Sequence, residues 1–140
     1  MPRYLIALAL LMPAPLGAHA LTGPFEARFA LCSAWVHGTC VVDGDTFRLR
    51  GERVRVADID APEINPPHCP READLGQRAK LRLLALLNNG PFALKPWPGR
   101  DQDRYGRLLR VVTRGGHSLG MQLVDEGLAR PWTGRRRPWC

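Results

Sequence analysis

Beyond its N-terminal region, the sequence has no apolar run approaching the roughly 20 residues needed to span a bilayer. This absence predicts one soluble domain with a modest core. The N-terminus has the features of an export signal: Arg3, the apolar run Leu5–Met12 and the cleavage-type tripeptide Ala18-His19-Ala20. The alternative, a membrane anchor, is disfavoured because the run is short. We therefore expect a signal peptide at residues 1–20, cleaved after Ala20, and a periplasmic or secreted protein.

The sequence also lacks the C-x-x-C spacing of structural zinc sites, which argues against a zinc-binding domain. All four cysteines follow the predicted signal, and an even number in a small exported domain indicates two disulfides. They are Cys32, Cys40, Cys69 and Cys140. Three pairings are possible, and the sequence does not choose between them. The positions of Cys69 and Cys140 suggest bridges that fix a loop and the C-terminal tail.

Lysine is scarce, since only Lys80 and Lys95 occur, although the chain has a net charge of +7. The positive charge is therefore almost entirely arginine, whose planar guanidinium binds phosphate through paired hydrogen bonds. This composition favours a phosphate-rich polyanion over a neutral sugar as partner; the alternative is that the charge serves only solubility. Serine hydrolysis is not indicated, because Ser33 and Ser118 lack a nucleophile-elbow sequence.

Short segments rich in valine and threonine, separated by turns, predict a mainly β domain at residues 39–140 after an irregular lead-in at 21–38. Five strands are expected, at Thr39–Val42, Thr46–Arg50, Arg53–Ala57, Phe92–Lys95 and Leu108–Thr113. Helical spacing of apolar residues predicts a helix that begins at Pro70 and ends near Asn88, and Ser118 is suited to cap a second helix. The element order predicts an α+β, mainly β fold: a five-stranded OB-type barrel with two to three short helices.

Acidic residues cluster in one part of this basic chain, at Asp43, Asp45, Asp58, Asp60 and Glu63. On an extended segment the carboxylates of Asp43 and Asp45 would face the same side and repel each other. A hard metal ion with oxygen ligands would compensate this repulsion. The alternative is that the carboxylates form surface salt bridges with neighbouring arginines.

Arg55 and Asp60 are five residues apart, which on one continuous strand would place them on opposite faces. They can serve one site only if the strand bends. Pro62 predicts this bend, because it removes a backbone donor and restricts Ala61. Asp60 and Glu63 would then turn toward the first pair of aspartates.

Three segments resemble the signature sequences of the staphylococcal nuclease family, in order and at compatible separations. They are Val42-Asp43-Gly44-Asp45-Thr46, Arg55 with Asp60-Ala61-Pro62-Glu63, and Asp103-Arg104-Tyr105-Gly106-Arg107. The resemblance extends from about Thr39 to Arg130 and implies an OB-type barrel, in agreement with the strand order. It also implies a calcium-dependent nuclease that hydrolyses phosphodiester bonds of DNA, RNA or both.

The resemblance implies that one calcium ion is bound by side-chain oxygens of Asp45 and Asp60 and by the main-chain carbonyl of Ala61. Asp43 would support these ligands without binding the ion directly. The family usually has threonine at the position of Ala61, but a backbone ligand is compatible with this exchange.

The resemblance further assigns the catalytic roles. Glu63 matches the general base for the attacking water, and Arg55 and Arg107 match the two phosphate-binding arginines. This agrees with the chemistry, because phosphodiester cleavage requires a base for the water proton and positive charge facing the phosphate oxygens.

Substrate contacts are expected from Arg104 and Tyr105, since the matching family tyrosine contacts the nucleotide. Trp132 follows the second helix, where the family commonly has aromatic residues that stack on a base. The family's longer C-terminal helix is missing. We expect the arginines at positions 135–137 to contact backbone phosphates, with Cys140 as the anchor of this tail.

Two other classes of protein are possible. A non-catalytic OB-fold module would bind single strands, but every position of the predicted catalytic set is filled here by the required residue type. A polysaccharide hydrolase would use two carboxylates on a neutral substrate, which the arginine excess disfavours. We expect a monomer that contacts DNA or RNA mainly through phosphates and has no membrane attachment after processing.

Overall fold

The computed structural model describes residues 23–140, so the predicted signal peptide and its cleavage site lie outside the described residues. In chain order the elements are β1 (Ala30–Leu31), β2 (Cys40–Asp43), β3 (Thr46–Leu49), β4 (Glu52–Val56), β5 (Ile59–Asp60), α1 (Pro70–Asn88), β6 (Ala93–Pro96), β7 (Leu108–Arg114), β8 (His117–Ser118), α2 (Leu119–Asp125) and β9 (Arg130–Pro131). Neither α1 nor α2 has the length and apolarity to cross a membrane.

Most strands form one mixed sheet in the spatial order β1-β2-β3-β4-β7-β6, with β8 paired to β7. The strands β2, β3 and β4 are an antiparallel meander. The β4–β7 pair is parallel, so the chain between them must cross over, and α1 lies in this crossover. The strands β5 and β9 pair separately. This mainly β, α+β arrangement with two helices confirms the predicted fold class and fits an OB-type fold.

The five predicted strands are β2, β3, β4, β6 and β7, each within one residue of its expected bounds. The helix α1 begins at Pro70 as predicted, but its 19 residues make it long rather than short. Ser118 caps α2 by accepting a hydrogen bond from the amide of Met121. The two-residue strands β1, β5, β8 and β9 were not predicted, because so short a pairing has no periodicity in the sequence.

The segment before β2 is better ordered than the predicted irregular lead-in. Phe25 and Phe29 are buried, and Phe25 exchanges two backbone hydrogen bonds with Phe92 at 2.7 and 3.0 Å. Together with Phe47 these rings form one aromatic cluster with centroid separations of 5.7–6.4 Å. The lead-in therefore contributes to the core and connects the end of the sheet at β6 with the end at β1.

Two glycines allow α1 to lie directly against the loops that carry the acidic cluster. A Cβ atom at Gly44 would lie 2.6 Å from the Cβ of Ala79 on α1. A Cβ atom at Gly76 of α1 would lie 2.3 Å from Cγ2 of Ile64. Larger residues do not fit at these contacts, so α1 fixes the β2–β3 turn and the chain that follows β5.

Two disulfides are formed, Cys32–Cys40 and Cys69–Cys140. The first closes a short loop before β2. The second joins the N-cap residue of α1 to the last residue of the chain. The second disulfide therefore joins the loop before α1 directly to the C-terminal tail.

Candidate active site

The first two aspartates lie around a tight turn and not along one extended segment, which corrects the sequence interpretation. Asp43 ends β2, and Asp45 belongs to the turn that precedes β3. Asp45 is only 2% exposed; its Oδ2 accepts a hydrogen bond from the Ala61 amide at 3.0 Å, and its Oδ1 accepts one from the Thr46 hydroxyl at 3.1 Å. Asp43 Oδ1 accepts from the Asp45 amide at 3.2 Å. Asp45 thus connects the β2–β3 turn to the end of β5.

The chain does reverse between Arg55 and Asp60, but Pro62 is not the cause. The turn lies at residues 57–58, between β4 and β5, and β5 then continues to Asp60. The buried side chain of Arg55 follows this turn and donates to the Ile59 carbonyl at 3.0 Å. The buried Arg55 side chain therefore stabilises the turn through this hydrogen bond, and the turn brings Arg55 and Asp60 to one site.

Arg55 is the shared cation of two buried carboxylates. Its Nη2 lies 3.5 Å from Asp45 Oδ2 and 3.9 Å from Asp60 Oδ1. Asp60 Oδ1 is buried and accepts no hydrogen bond from any residue that the structure describes. Burial raises the pKa of Asp60 above its ordinary value, although the positive charge of Arg136 opposes the shift.

The cluster has more negative charge than the nearby arginines compensate. Burial, and secondly the charge of Asp45, raise the pKa of Asp43 to about 7. Buried carboxylate oxygens with an unsatisfied acceptor are the donor set that a hard divalent cation prefers. The residues present fit such an ion, and those that could hold it are Asp45, Asp60 and the carbonyl of Ala61.

Glu63 lies directly after this cluster, and only one of its two carboxylate oxygens accepts hydrogen bonds from the described residues. Its Oε1 accepts hydrogen bonds from the amides of Ile64 and Asn65 at 2.8 and 2.9 Å. Its Oε2 lies 3.8 Å from Arg136 Nη1. Glu72 on α1 fixes this loop, because its Oε1 accepts a hydrogen bond from the Glu63 amide at 2.9 Å.

Glu72 is a site residue that sequence analysis missed. Its Oε2 accepts from the amide of His68 at 2.9 Å and contacts the ring Nδ1 at 2.8 Å. Burial alone would raise the pKa of Glu72, but the hydrogen bonds from His68 and Glu63 outweigh burial, and its pKa lies below the ordinary value. The only signal in the sequence is an acidic residue in the first helical turn after a proline-rich loop, which indicates a helix terminus and not a loop anchor.

Arg107 is fixed by two partners just before β7. Its Nε donates to Asp103 Oδ2 at 2.6 Å, and its Nη1 donates to the Thr46 hydroxyl at 3.0 Å. Hydrogen bonds from Arg107 and Tyr105 overcome the effect of burial and lower the pKa of Asp103. Sequence analysis assigned no role to Asp103, although its spacing of four residues from Arg107 was visible. Because Thr46 also bonds Asp45, Arg107 is linked to the carboxylate cluster.

The predicted substrate-contacting residues lie beside these arginines. The Tyr105 side chain is 56% exposed, and the guanidiniums of Arg104 and Arg107 lie 4.8 and 5.5 Å from its ring centroid. The ring of Trp132, which follows β9, lies 5.3 Å from Cζ of Arg55. Both aromatic side chains are therefore positioned next to guanidiniums predicted to bind phosphate.

The structure brings the predicted site residues to one open cleft of about 1320 Å³. Eight of the ten predicted site residues line this cleft. The other two, Asp45 and Ala61, are buried. The lining is strongly basic: it includes Arg48, Arg53, Arg55, Arg100, Arg104, Arg107, Arg135, Arg136 and Arg137. A cleft with one predominant sign of charge concentrates ligands of the opposite sign.

Arg136 makes a contact that sequence analysis did not predict. Its half-exposed side chain puts Nη1 3.6 Å from Asp60 Oδ1 and 3.8 Å from Glu63 Oε2. The sequence predicted phosphate contacts for this tail, and nothing in the spacing indicated a contact with the carboxylates. Arg136 lies four residues before Cys140, whose disulfide partner Cys69 the sequence did not identify.

A profile of the staphylococcal nuclease homologues matches residues 53–138. This is more than half of the chain, and the chain therefore belongs to the staphylococcal nuclease family. The match confirms the resemblance inferred from the three sequence segments. It starts in β4, so Asp43 and Asp45 precede the matched residues and their placement rests on the structure.

Curated proteins with similar sequences bear names of the same kind. Endonuclease YncB of Bacillus subtilis is 36% identical over 93 residues, covering 64% of this chain and 44% of that protein. The SPbeta prophage-derived endonuclease YokF of the same organism is 38% identical over 93 residues, covering 64% of this chain and 31% of YokF. Thermonuclease of Staphylococcus intermedius is 34% identical over 94 residues, covering 64% of this chain and 55% of that protein. The chain thus spans about a third to a half of the length of these relatives.

Proposed function

We propose that this protein is a nuclease that hydrolyses phosphodiester bonds of DNA, RNA or both, with calcium as its cofactor. The observation that carries the proposal is the group formed by Asp45, Asp60 and Arg55 beside Glu63 in an arginine-lined cleft. Membership of the family and the names of the relatives support the same reaction class.

Asp45, Asp60 and the carbonyl of Ala61 would hold the calcium ion, which when bound would supply positive charge beside the phosphate. Asp43 would act through Asp45, since its Oδ1 accepts from the Asp45 amide. Asp45 and Asp60 are both buried and share one arginine, so they keep an excess of negative charge. A calcium ion in this place would compensate that charge.

Glu63 has the geometry of a general base. Its Oε1 is held by two amides, so Oε2 is the atom available for a proton. A water molecule attacks phosphorus while its proton passes to Oε2. The P–O bond to the leaving oxygen breaks, and that oxygen keeps the electron pair and takes a proton from solvent.

Arg55 and Arg107 would bind the phosphate oxygens as negative charge increases on them. Both guanidiniums are immobilised beforehand, Arg55 by the Ile59 carbonyl and Arg107 by Asp103 and Thr46. Donors fixed in advance stabilise a transition state without reorganisation during the reaction.

A substrate longer than one nucleotide is supported by the arginines beyond this centre. Arg48 and Arg53 are directly opposite each other on β3 and β4, and neither has a salt-bridge partner in the part of the chain that the structure describes. Opposed like charges on a sheet repel each other, and a phosphate between them would remove the repulsion. Arg53 and Arg55 are two residues apart on β4, which is about 6.6 Å, a separation comparable to that of successive phosphates in an extended strand.

The two disulfides support a site of action outside the cytoplasm, because disulfides persist in oxidising compartments. We therefore propose a periplasmic or secreted enzyme.

Metal removal tests the proposal. The oxidised protein is expected to release acid-soluble nucleotides from single-stranded DNA in calcium, and a chelator is expected to abolish this release. Readdition of calcium should restore it. Tight DNA binding without cleavage in calcium would contradict the proposal and favour a non-catalytic binding module.

Replacing Arg55 by lysine should lower kcat about 10²-fold although the charge is kept. A single ammonium group does not reproduce the two nitrogens with which Arg55 contacts the Ile59 carbonyl and the two carboxylates. Steady-state kinetics on single-stranded DNA measures the loss. The control is Arg78→Lys, since Arg78 is exposed and within residues 23–140 forms a salt bridge only with Asp74 on α1. Full activity of Arg55→Lys would contradict the proposed role.

A further inference from the structure

The C-terminal tail is fastened to the wall of the cleft at two points. Cys140 is bonded to Cys69 at the start of α1. The guanidinium of Arg130 lies 3.8 Å from the ring centroid of Trp139 and donates to the Pro138 carbonyl at 3.0 Å. Both attachments hold the C-terminal end of the tail, and the pairing of β9 with β5 holds its beginning. The residues between them line the cleft.

Within this tail, Arg136 lies between two carboxylates of the proposed catalytic centre. Its Nη1 lies 3.6 Å from Asp60 Oδ1, the buried oxygen without a hydrogen bond, and 3.8 Å from Glu63 Oε2. Both distances exceed those of hydrogen bonds, so the interaction is mainly one of charge. The side chain is 49% exposed, which leaves it free to swing away.

The charges near this point explain why a guanidinium lies there. Four carboxylates, those of Asp43, Asp45, Asp60 and Glu63, are opposed by the guanidiniums of Arg55, Arg136 and Arg130. Arg130 is held by the Trp139 ring and the Pro138 carbonyl. Arg55 is buried and fixed by backbone carbonyls. Arg136 is thus the movable cation of the cluster.

We propose that Arg136 is a positioning residue that acts as a tethered counter-cation for Asp60 and Glu63 and competes with the divalent metal ion for Asp60. This inference rests on the proposed function, because it takes the carboxylate cluster as the metal site. When the ion binds, Arg136 moves away from Asp60 and is free to contact a substrate phosphate. The tail thereby sets the cation concentration at which the site becomes loaded.

Calorimetric titration of the metal-free, oxidised protein with calcium chloride, without nucleic acid, tests the competition. Arg136→Gln is expected to tighten the calcium Kd about three- to tenfold, because a positive charge near the ion is removed. Arg136→Lys keeps the charge and should return the Kd close to that of the unmodified protein. The substituted side chain is half-exposed, so both variants are expected to fold.

The matched control is Arg137→Gln, which removes the same charge from the same tail. Arg137 makes no contact with a carboxylate in the described residues, and its replacement should leave the calcium Kd within twofold of the unmodified value. An unchanged or weaker Kd in Arg136→Gln would overturn the proposal. An unchanged Kd with a raised KM for DNA would also overturn it and assign Arg136 to phosphate binding alone.

The tether has its own test. The double variant Cys69→Ser/Cys140→Ser keeps Arg136 but removes the covalent one of the two attachments of its tail, and a calcium Kd shifted partly toward that of Arg136→Gln is expected. If the double variant binds calcium like the unmodified protein while Arg136→Gln binds tighter, the disulfide has no part in the competition and that element of the proposal is wrong.

These measurements separate the inference from the proposed function. A tighter Kd in Arg136→Gln, with no DNA cleavage by the unmodified protein, would support the counter-cation and contradict the nuclease. DNA cleavage without measurable calcium binding would overturn the counter-cation and leave the hydrolytic activity standing.

Discussion

Replacing Glu63 by glutamine is expected to lower kcat for DNA cleavage by about 10²–10⁴-fold, the usual contribution of a general base. Glutamine has the same shape, and its carbonyl oxygen still accepts from the amides of Ile64 and Asn65. The loop should therefore keep its conformation, while the side chain no longer takes a proton. Steady-state kinetics in saturating calcium measures kcat, and filter binding measures DNA affinity, which should change little.

The control for this variant is Glu126→Gln, because Glu126 pairs with Arg82 on the surface. Its activity should equal that of the unmodified protein. If Glu63→Gln retained full kcat, Glu63 would not be the base, and the water proton would have to pass to another group in the cleft.

Removing the Cys69–Cys140 disulfide should cost about 2–4 kcal/mol of unfolding free energy. This bridge spans 71 residues and restricts the unfolded chain far more than Cys32–Cys40, which spans 8. Urea unfolding of Cys69→Ser/Cys140→Ser, followed by circular dichroism, measures the loss.

The companion variant Cys32→Ser/Cys40→Ser should lose less stability. It removes the same chemical group from a short loop, so the comparison isolates the effect of loop length. A larger loss in this companion than in Cys69→Ser/Cys140→Ser would contradict the expectation and indicate that local packing around Cys40, which is fully buried, dominates.

Most of the fold was predictable because its signals are local. Pro70 and Ser118 begin helices through rules that involve only a few neighbouring residues, and short segments rich in valine and threonine between turns mark the strands of the meander. The contribution of Phe25 and Phe29 was not predictable in this way. Both residues follow Gly23 and Pro24, which indicate irregular backbone, and their burial depends on rings that are distant in the sequence.

The sequence indicated which residues form the site, but it did not indicate the contacts that hold them in place. Family-like segments named Asp45, Asp60 and Glu63, whose assigned roles remain predictions. Proline chemistry alone located the bend at Pro62, whereas the chain reverses earlier because the Arg55 side chain fastens the turn from inside. Arg136 lies at the cluster because its tail is bonded through Cys140 to Cys69 and contacted by Arg130, and these pairings between distant positions have no local signal in the sequence.

The close contact at Gly76 also bears on how this protein should be engineered. Helix propensity recommends alanine at an interior helix position, where glycine costs roughly 1 kcal/mol. Here the added methyl group would meet Ile64 and the Pro62 carbonyl, which belong to the loop that carries Glu63. A substitution chosen for thermal robustness would therefore displace the proposed base. Within the interior of α1, Gly76 has the lowest helix propensity, and retaining it protects the geometry of the cleft.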